Sequence, residues 1–164
     1  MSSLRLTLRA WPVITAVTIG LCYLTQTVAK WFGIDLPDQK NIEVVKQIAG
    51  LNWKFALVCL QVLIVMPALE ELIFRGLLFR LPTRRKDARP NVWTIVCAII
   101  SSALFSAAHY LAQPWPDAAF LALFFFGLAQ CWLYRRTNRI WCAMLNHGLF
   151  NLTNLVLLFI LPEA

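Results

Sequence analysis

Long apolar runs, interrupted by short charged stretches, dominate this chain. A helix needs about 20 apolar residues to cross a hydrocarbon core. Windows of roughly that length fall over residues 10–32, 53–81, 91–113, 117–136 and 139–161. Apolar and polar residues do not alternate within them as they would along a half-buried strand, so each window predicts a transmembrane helix. The second is long for a single span. Pro67 near its middle predicts a kink, because proline brings no N–H to the helical ladder. Residues 33–52 form the one substantial polar connection. There Ile42, Val45, Ile48 and Ala49 fall at helical spacing, which predicts a short amphipathic helix lying at the membrane interface. No internal repeat or low-complexity tract is visible.

Composition agrees with this pattern. Of 164 residues, 60% are hydrophobic and only 14% charged, too few charges to make the polar shell of a soluble domain this size. The expected architecture is all-α: a polytopic integral membrane bundle of about five transmembrane helices. It forms one domain over residues 1–164, with the chemistry-bearing core at about 53–161. The N-terminal run could be mistaken for a cleaved signal peptide, since Thr27-Val28-Ala29 loosely resembles a cleavage site. Its span length, and Thr15, Thr18, Thr25 and Gln26 within it, instead predict a retained first helix.

The net charge of +7 would suggest nucleic acid if the basic residues shared one folded face with aromatic or hydrogen-bonding groups between them. They do not, and no nucleic-acid partner is expected. Ten of them cluster in three places: Arg5 and Arg9; Arg80, Arg84, Arg85, Lys86 and Arg89; Arg135, Arg136 and Arg139. Lys30, Lys40, Lys46 and Lys54 would lie on the other side, diluted by Asp35, Asp38 and Glu43. This asymmetry places the N-terminus in the cytoplasm, and the short, arginine-rich chain points to a prokaryotic plasma membrane. Trp11, Trp31, Trp53, Trp93, Trp115 and Trp141 fall near span ends, where aromatic belts form. The five cysteines have no paired spacing and read as buried, unreactive side chains.

One stretch breaks the pattern. PALEELIFRGLL, residues 67–78, sets Glu70, Glu71 and Arg75 inside a span, where each charge costs on the order of 2.5–3.5 kcal/mol. Glu71 and Arg75 are four apart and can pair along one helix face. Glu70 projects about 100° away, beside Phe74, and needs partners from another helix or a polar cavity. His109 lies in the third window with Ser102, Phe105 and Ser106 on roughly its face. His147 and Asn151 share a face of the fifth. Singly, each could be a hydrogen bond between helices. Together, across three spans, they point to a functional site. The span ends drawn above put Glu70 and His147 roughly 15 and 12 Å deep, but His109 about 24 Å.

Three motifs carry a resemblance: Glu70-Glu71-x-x-x-Arg75, Phe105-x-x-x-His109 and His147-x-x-x-Asn151. In this order, on separate apolar spans, they resemble those of the Abi family. It is also called the CAAX protease and bacteriocin-processing family, and it includes the CAAX prenyl endopeptidases. Five spans make this chain shorter than its larger relatives. The resemblance implies a glutamate-dependent intramembrane endopeptidase without a cofactor. By its motifs Glu70 and His109 would bind and activate water, and His147 and Asn151 would stabilise the oxyanion. Glu71, Arg75 and Phe105 would shape and support the site. The implied partner, besides the bilayer, is a peptide or protein with a hydrophobic or lipidated terminus: a prenylated C-terminus, a bacteriocin leader or a C-terminal sorting signal. Three other readings fit some of the residues. Glu70, His109 and His147 could ligate zinc, although HExxH is absent. The same fold could serve as a non-proteolytic scaffold, regulator or immunity protein. A proton-coupled transporter is the third, with no repeat to support it.

Overall fold

The structure is a computed structural model that describes residues 2–36, 52–83, 91–110 and 118–160. Five helices make up these residues: α1 (Ser3–Trp31), α2 (Trp53–Arg80), α3 (Val92–Tyr110), α4 (Ala119–Thr137) and α5 (Ile140–Ile160). Their starts and stops follow from local chemistry. The side chains of Ser2, Asn52 and Asn91 accept from the backbone N–H groups of Arg5, Phe55 and Thr94, which begin α1, α2 and α3. The turn from α4 to α5 is tight because Asn138 takes the left-handed conformation (φ 50°) and donates its N–H to the Tyr134 carbonyl at 2.7 Å. The apolar positions of the expected interfacial helix, and the basic run 84–89, lie outside the described residues.

The five helices alternate in direction. Trp93 Nε1 donates to the Pro82 carbonyl, Arg135 to the Thr94 hydroxyl, and the Phe79 and Tyr134 rings meet edge to face at 6.1 Å. These contacts put the end of α2, the start of α3 and the end of α4 together. At the opposite end Phe55 of α2 meets Phe159 of α5 at 5.9 Å. Arg5, Arg9, Arg80, Arg135, Arg136 and Arg139 therefore collect at one end of the bundle.

Burial is inverted relative to a soluble protein. The interior holds Thr7, Thr18, Ser101, Ser106, Glu71, Arg75 and His147, while long rows of Leu, Ile, Val and Phe face outward. This is the distribution of a helical membrane bundle. Threonines within α1 are tolerated because the hydroxyls of Thr7, Thr18, Thr25 and Thr27 each donate to the carbonyl four residues back. Helices α1, α2, α3 and α5 are long and apolar enough to cross a membrane. The fifth predicted span, α4, is less apolar for a physical reason: it touches all four other helices. Ala122, Phe126, Gly127, Gln130, Cys131 and Leu133 on it are buried against protein rather than lipid.

Small residues let these helices approach closely. A Cβ on Gly127 of α4 would stand 2.8 Å from Ser102 Cβ of α3, and one on Gly148 of α5 would stand 2.5 Å from the Leu63 carbonyl oxygen of α2. Gly20 has nothing within 4 Å. Gly127→Ala and Gly148→Ala are each expected to lower stability by about 1–3 kcal/mol, whereas Gly20→Ala should leave it unchanged or raise it. Thermal unfolding in detergent, followed through exposure of the buried Cys97, Cys131 and Cys142 thiols, measures the difference.

Candidate active site

The charges in α2 find their partners inside the bundle. Glu71 and Arg75 are both fully buried, with Arg75 Nη1 3.1 Å from Glu71 Oε1. Arg75 Nη2 donates to the Gly127 carbonyl of α4 at 3.2 Å, and its guanidinium lies 4.5 Å over the Phe105 ring of α3. The cation is thus held by a carboxylate, a carbonyl and an aromatic face from three helices. Glu71 Oε1 also meets His147 Nδ1 of α5 at 3.0 Å. Glu70, which the sequence leaves without a partner, has Oε2 3.6 Å from the other ring nitrogen, His147 Nε2. That is ion-pair distance, beyond a hydrogen bond. A continuous chain results, Glu70–His147–Glu71–Arg75, in which one imidazole bridges neighbouring carboxylates.

The α2 backbone is remodelled around Pro67. The helix runs through the proline, and the expected kink takes the form of wide π-helical turns over Gln61–Val65 and Leu72–Arg80, on either side of Met66–Glu71. Such turns recur at functional sites. In the first, the Met66 N–H reaches back five residues to the Gln61 carbonyl. The Val62 carbonyl then loses both regular helical partners: Met66 is committed elsewhere, and the residue five on is Pro67, which has no N–H. Asn151 Nδ2 of α5 fills the vacancy, donating to the Val62 carbonyl at 2.8 Å. One amide hydrogen of Asn151 is thereby fixed, which orients its second.

His109 joins the site through Phe105. Its Nδ1 lies 2.9 Å from the Phe105 carbonyl one turn back. A carbonyl only accepts, so Nδ1 carries a proton, and in the neutral imidazole the lone pair is then on Nε2. The buried Phe105 ring lies 4.7 Å from the His109 ring and 5.8 Å from the His147 ring. Phe126 adds a second aromatic wall 5.1 Å from His147. His109 stands a single helical turn beyond Phe105, whose ring touches His147.

All seven sequence-derived site residues therefore fall in one region. Glu70, His147, Glu71, Arg75 and Phe105 are linked by successive contacts, with His109 beside Phe105 and Asn151 one turn past His147. Sequence reasoning missed the backbone partners, the carbonyls of Gly127 and Val62, which carry no side-chain signal. It also missed Gln130 and Asn146, both fully buried. The rule that flagged His109, a polar side chain within a span, would have found them. Beside the site an apolar groove of about 380 Å³ runs between α2 and α5, lined by Leu63, Ile64, Ala68, Leu145, Gly148 and Leu152 among others. Among the described residues no group of three His, Cys, Asp or Glu side chains is arranged to hold a metal ion.

The family model described as Type II CAAX prenyl endopeptidase Rce1-like matches residues 52–153. The match contains α2, α3 and α4, every residue of the site, and α5 through Thr153. No curated protein and no solved structure matches the chain.

Two expectations follow from the geometry. Arg75→Met strands a buried carboxylate and should cost about 3–5 kcal/mol, while Glu71→Gln/Arg75→Met together should cost less than Arg75→Met alone. Unfolding of these two variants and of Glu71→Gln alone, in one detergent, reads this non-additivity. Pro67→Ala supplies an N–H that competes with Asn151 for the freed carbonyls. Asn151→Ala should then cost about 1 kcal/mol in the wild-type background and measurably less beside Pro67→Ala.

Proposed function

Because the chain belongs to the family of Type II CAAX prenyl endopeptidase Rce1-like proteins, a family of proteases, we propose that it is a glutamic-type intramembrane endopeptidase centred on Glu70. The observation that carries this reading is the contact of Glu70 with His147, whose other nitrogen is held by the buried Glu71–Arg75 pair. A structural staple accounts for Glu71 and Arg75. It gives no reason for a second carboxylate and two histidines around them.

In this mechanism water lies between Glu70 and His109. Glu70 accepts one of its protons, and His109 Nε2, left unprotonated by the Nδ1 contact with the Phe105 carbonyl, accepts a hydrogen bond from the other. The oxygen attacks the scissile carbonyl carbon, and negative charge passes to the carbonyl oxygen. His147 Nε2 then faces no carboxylate charge, because Glu70 has become neutral. Its Nε2–H and the free Nδ2 hydrogen of Asn151 turn to the oxyanion. Collapse of the tetrahedral intermediate breaks the C–N bond, and Glu70 returns its proton to the leaving amine. Glu71 and Arg75 keep the imidazole oriented throughout.

The substrate is a peptide or protein with a hydrophobic or lipidated terminus, cut close to the membrane. The groove between α2 and α5 offers an apolar approach to Glu70 and His147, since Ala68 and Gly148 line it. The asymmetric basic end supports an N-terminus in the cytoplasm and a prokaryotic plasma membrane as the location.

Glu70→Gln, close in shape, removes the proton acceptor and should lower cleavage at least about 10²-fold. Asn151→Ala should lower it about 10²–10³-fold. Comparing protein termini across the membrane and secreted fractions of the native host, wild type against Glu70→Gln, identifies the cut. Termini that do not change, alongside a phenotype on deleting the whole chain, would replace this reading with a non-proteolytic scaffold. Loss of cleavage on chelation, restored by zinc, would replace the glutamate mechanism with a metal-dependent one.

A further inference from the structure

The α4–α5 hairpin carries a polar level that the candidate active site does not use. Phe126 of α4 and Phe150 of α5 meet with ring centroids 4.6 Å apart, which sets the register of the two antiparallel helices. Gln130 lies one turn from Phe126 toward the Asn138 turn, and Asn146 lies one turn from Phe150 toward the same turn. Their side chains therefore face each other at one level, and Asn146 directly precedes His147. Both are fully buried, and the carboxamide nitrogen and oxygen of each have no hydrogen-bond partner among the described residues. Helix α1 packs against both α4 and α5 here, with Ala10 and Ile14 sharing an apolar cluster with Phe126, Leu133 and Cys142. Thr15, next to Ile14, is only 5% exposed. Thr7, Thr18, Thr25 and Thr27 of α1 each donate to the carbonyl four residues back, but the buried Thr15 hydroxyl has no partner among the described residues.

We propose that Gln130, Asn146 and Thr15 enclose a bound water that joins α4, α5 and α1. A carboxamide is costly to bury in an apolar interior without hydrogen bonds, and here two stand at one level. Each offers two donor hydrogens and an acceptor oxygen, so one direct bond between them leaves most of that capacity unmet. A water accepts from one NH2 group, donates to the facing carbonyl and keeps a further bond for the Thr15 hydroxyl. That gives it about three polar partners, the usual number for a buried water. All three side chains are neutral, and each both donates and accepts, which suits water and neither sign of ion. Lipid presents no hydrogen-bonding group at this depth. The occupant is one enclosed molecule, distinct from bulk solvent, and it clamps α5 to α4 and α1 at the residue before His147. The site stands apart from the catalytic reading of Glu70, since it requires only these three buried side chains.

A crystal structure of the full chain grown in lipid mesophase, at a resolution that shows ordered water, tests the proposal. One density peak within hydrogen-bonding distance of the Gln130 and Asn146 amides and of the Thr15 hydroxyl is expected. Melting in detergent supplies a second measurement. Gln130→Leu and Asn146→Leu each strand the opposite amide and should lower the melting temperature by about 2–6 °C. The double variant needs no water and should lose less than the two shifts combined. Thr15→Val, nearly identical in shape, should lower the melting temperature of the wild type but not of the double variant. The wild-type crystal structure keeps the test decisive if the leucine variants do not fold. Amides bonded directly to each other with no peak beside them, amides turned to other protein groups, an empty gap, or melting shifts that simply add would each overturn the proposal.

Discussion

The fully buried ion pair between Glu71 and Arg75 is the constraint from which the rest of the site follows. Water cannot solvate either charge at that depth, and neither can lipid. The contacts that hold the pair therefore come from protein. Arg75 accordingly draws the Gly127 carbonyl and the Phe105 face, and Glu71 draws His147. Three helices are thereby fixed against α2 at one level of the bundle. Gly127 has to be glycine for α4 to come near enough to α3. The apolar surface of such a bundle faces lipid and gives little preference for one arrangement over another. Polar contacts at its centre select the arrangement.

The same principle explains how a helix-breaking residue becomes useful. In water, Pro67 would leave carbonyls to the solvent. Within a membrane those carbonyls must be met by protein, and Asn151 meets one of them. Pro67 and Asn151 therefore belong to one device, although 84 positions of chain separate their sequence numbers, 67 and 151. The π-helical turns serve it too, because a regular α-helical turn would have satisfied Val62 internally.

Much of this was legible in the amino-acid sequence. Span-length apolar windows gave four helices that satisfy the length and apolarity of a crossing segment, and a fifth, α4, that the bundle encloses. Charges inside those windows marked Glu70, Glu71 and Arg75, the last two of which the structure buries inside the bundle. Glu71 and Arg75 at helical spacing gave their pairing directly. The contact between Glu70 and His147 was not legible, since helix register and distance arise only from packing between α2 and α5. Nor was the commitment of Asn151 to Val62, a backbone oxygen that any residue at position 62 would present.

The tight turn at Asn138 bears on how the protein comes to exist at all. With only Asn138 and Arg139 between them, α4 and α5 form a helical hairpin. Helix α4, carrying Gln130 and ending in Arg135 and Arg136, is poorly suited to stand alone in lipid. The hairpin is then the natural unit of insertion, with the apolar α5 drawing its partner in. Since α5 supplies His147 and α4 the Gly127 carbonyl, the nascent chain holds no assembled site while α1 to α3 are threaded into the bilayer. The candidate site is complete only once the α4–α5 hairpin has joined the first three helices.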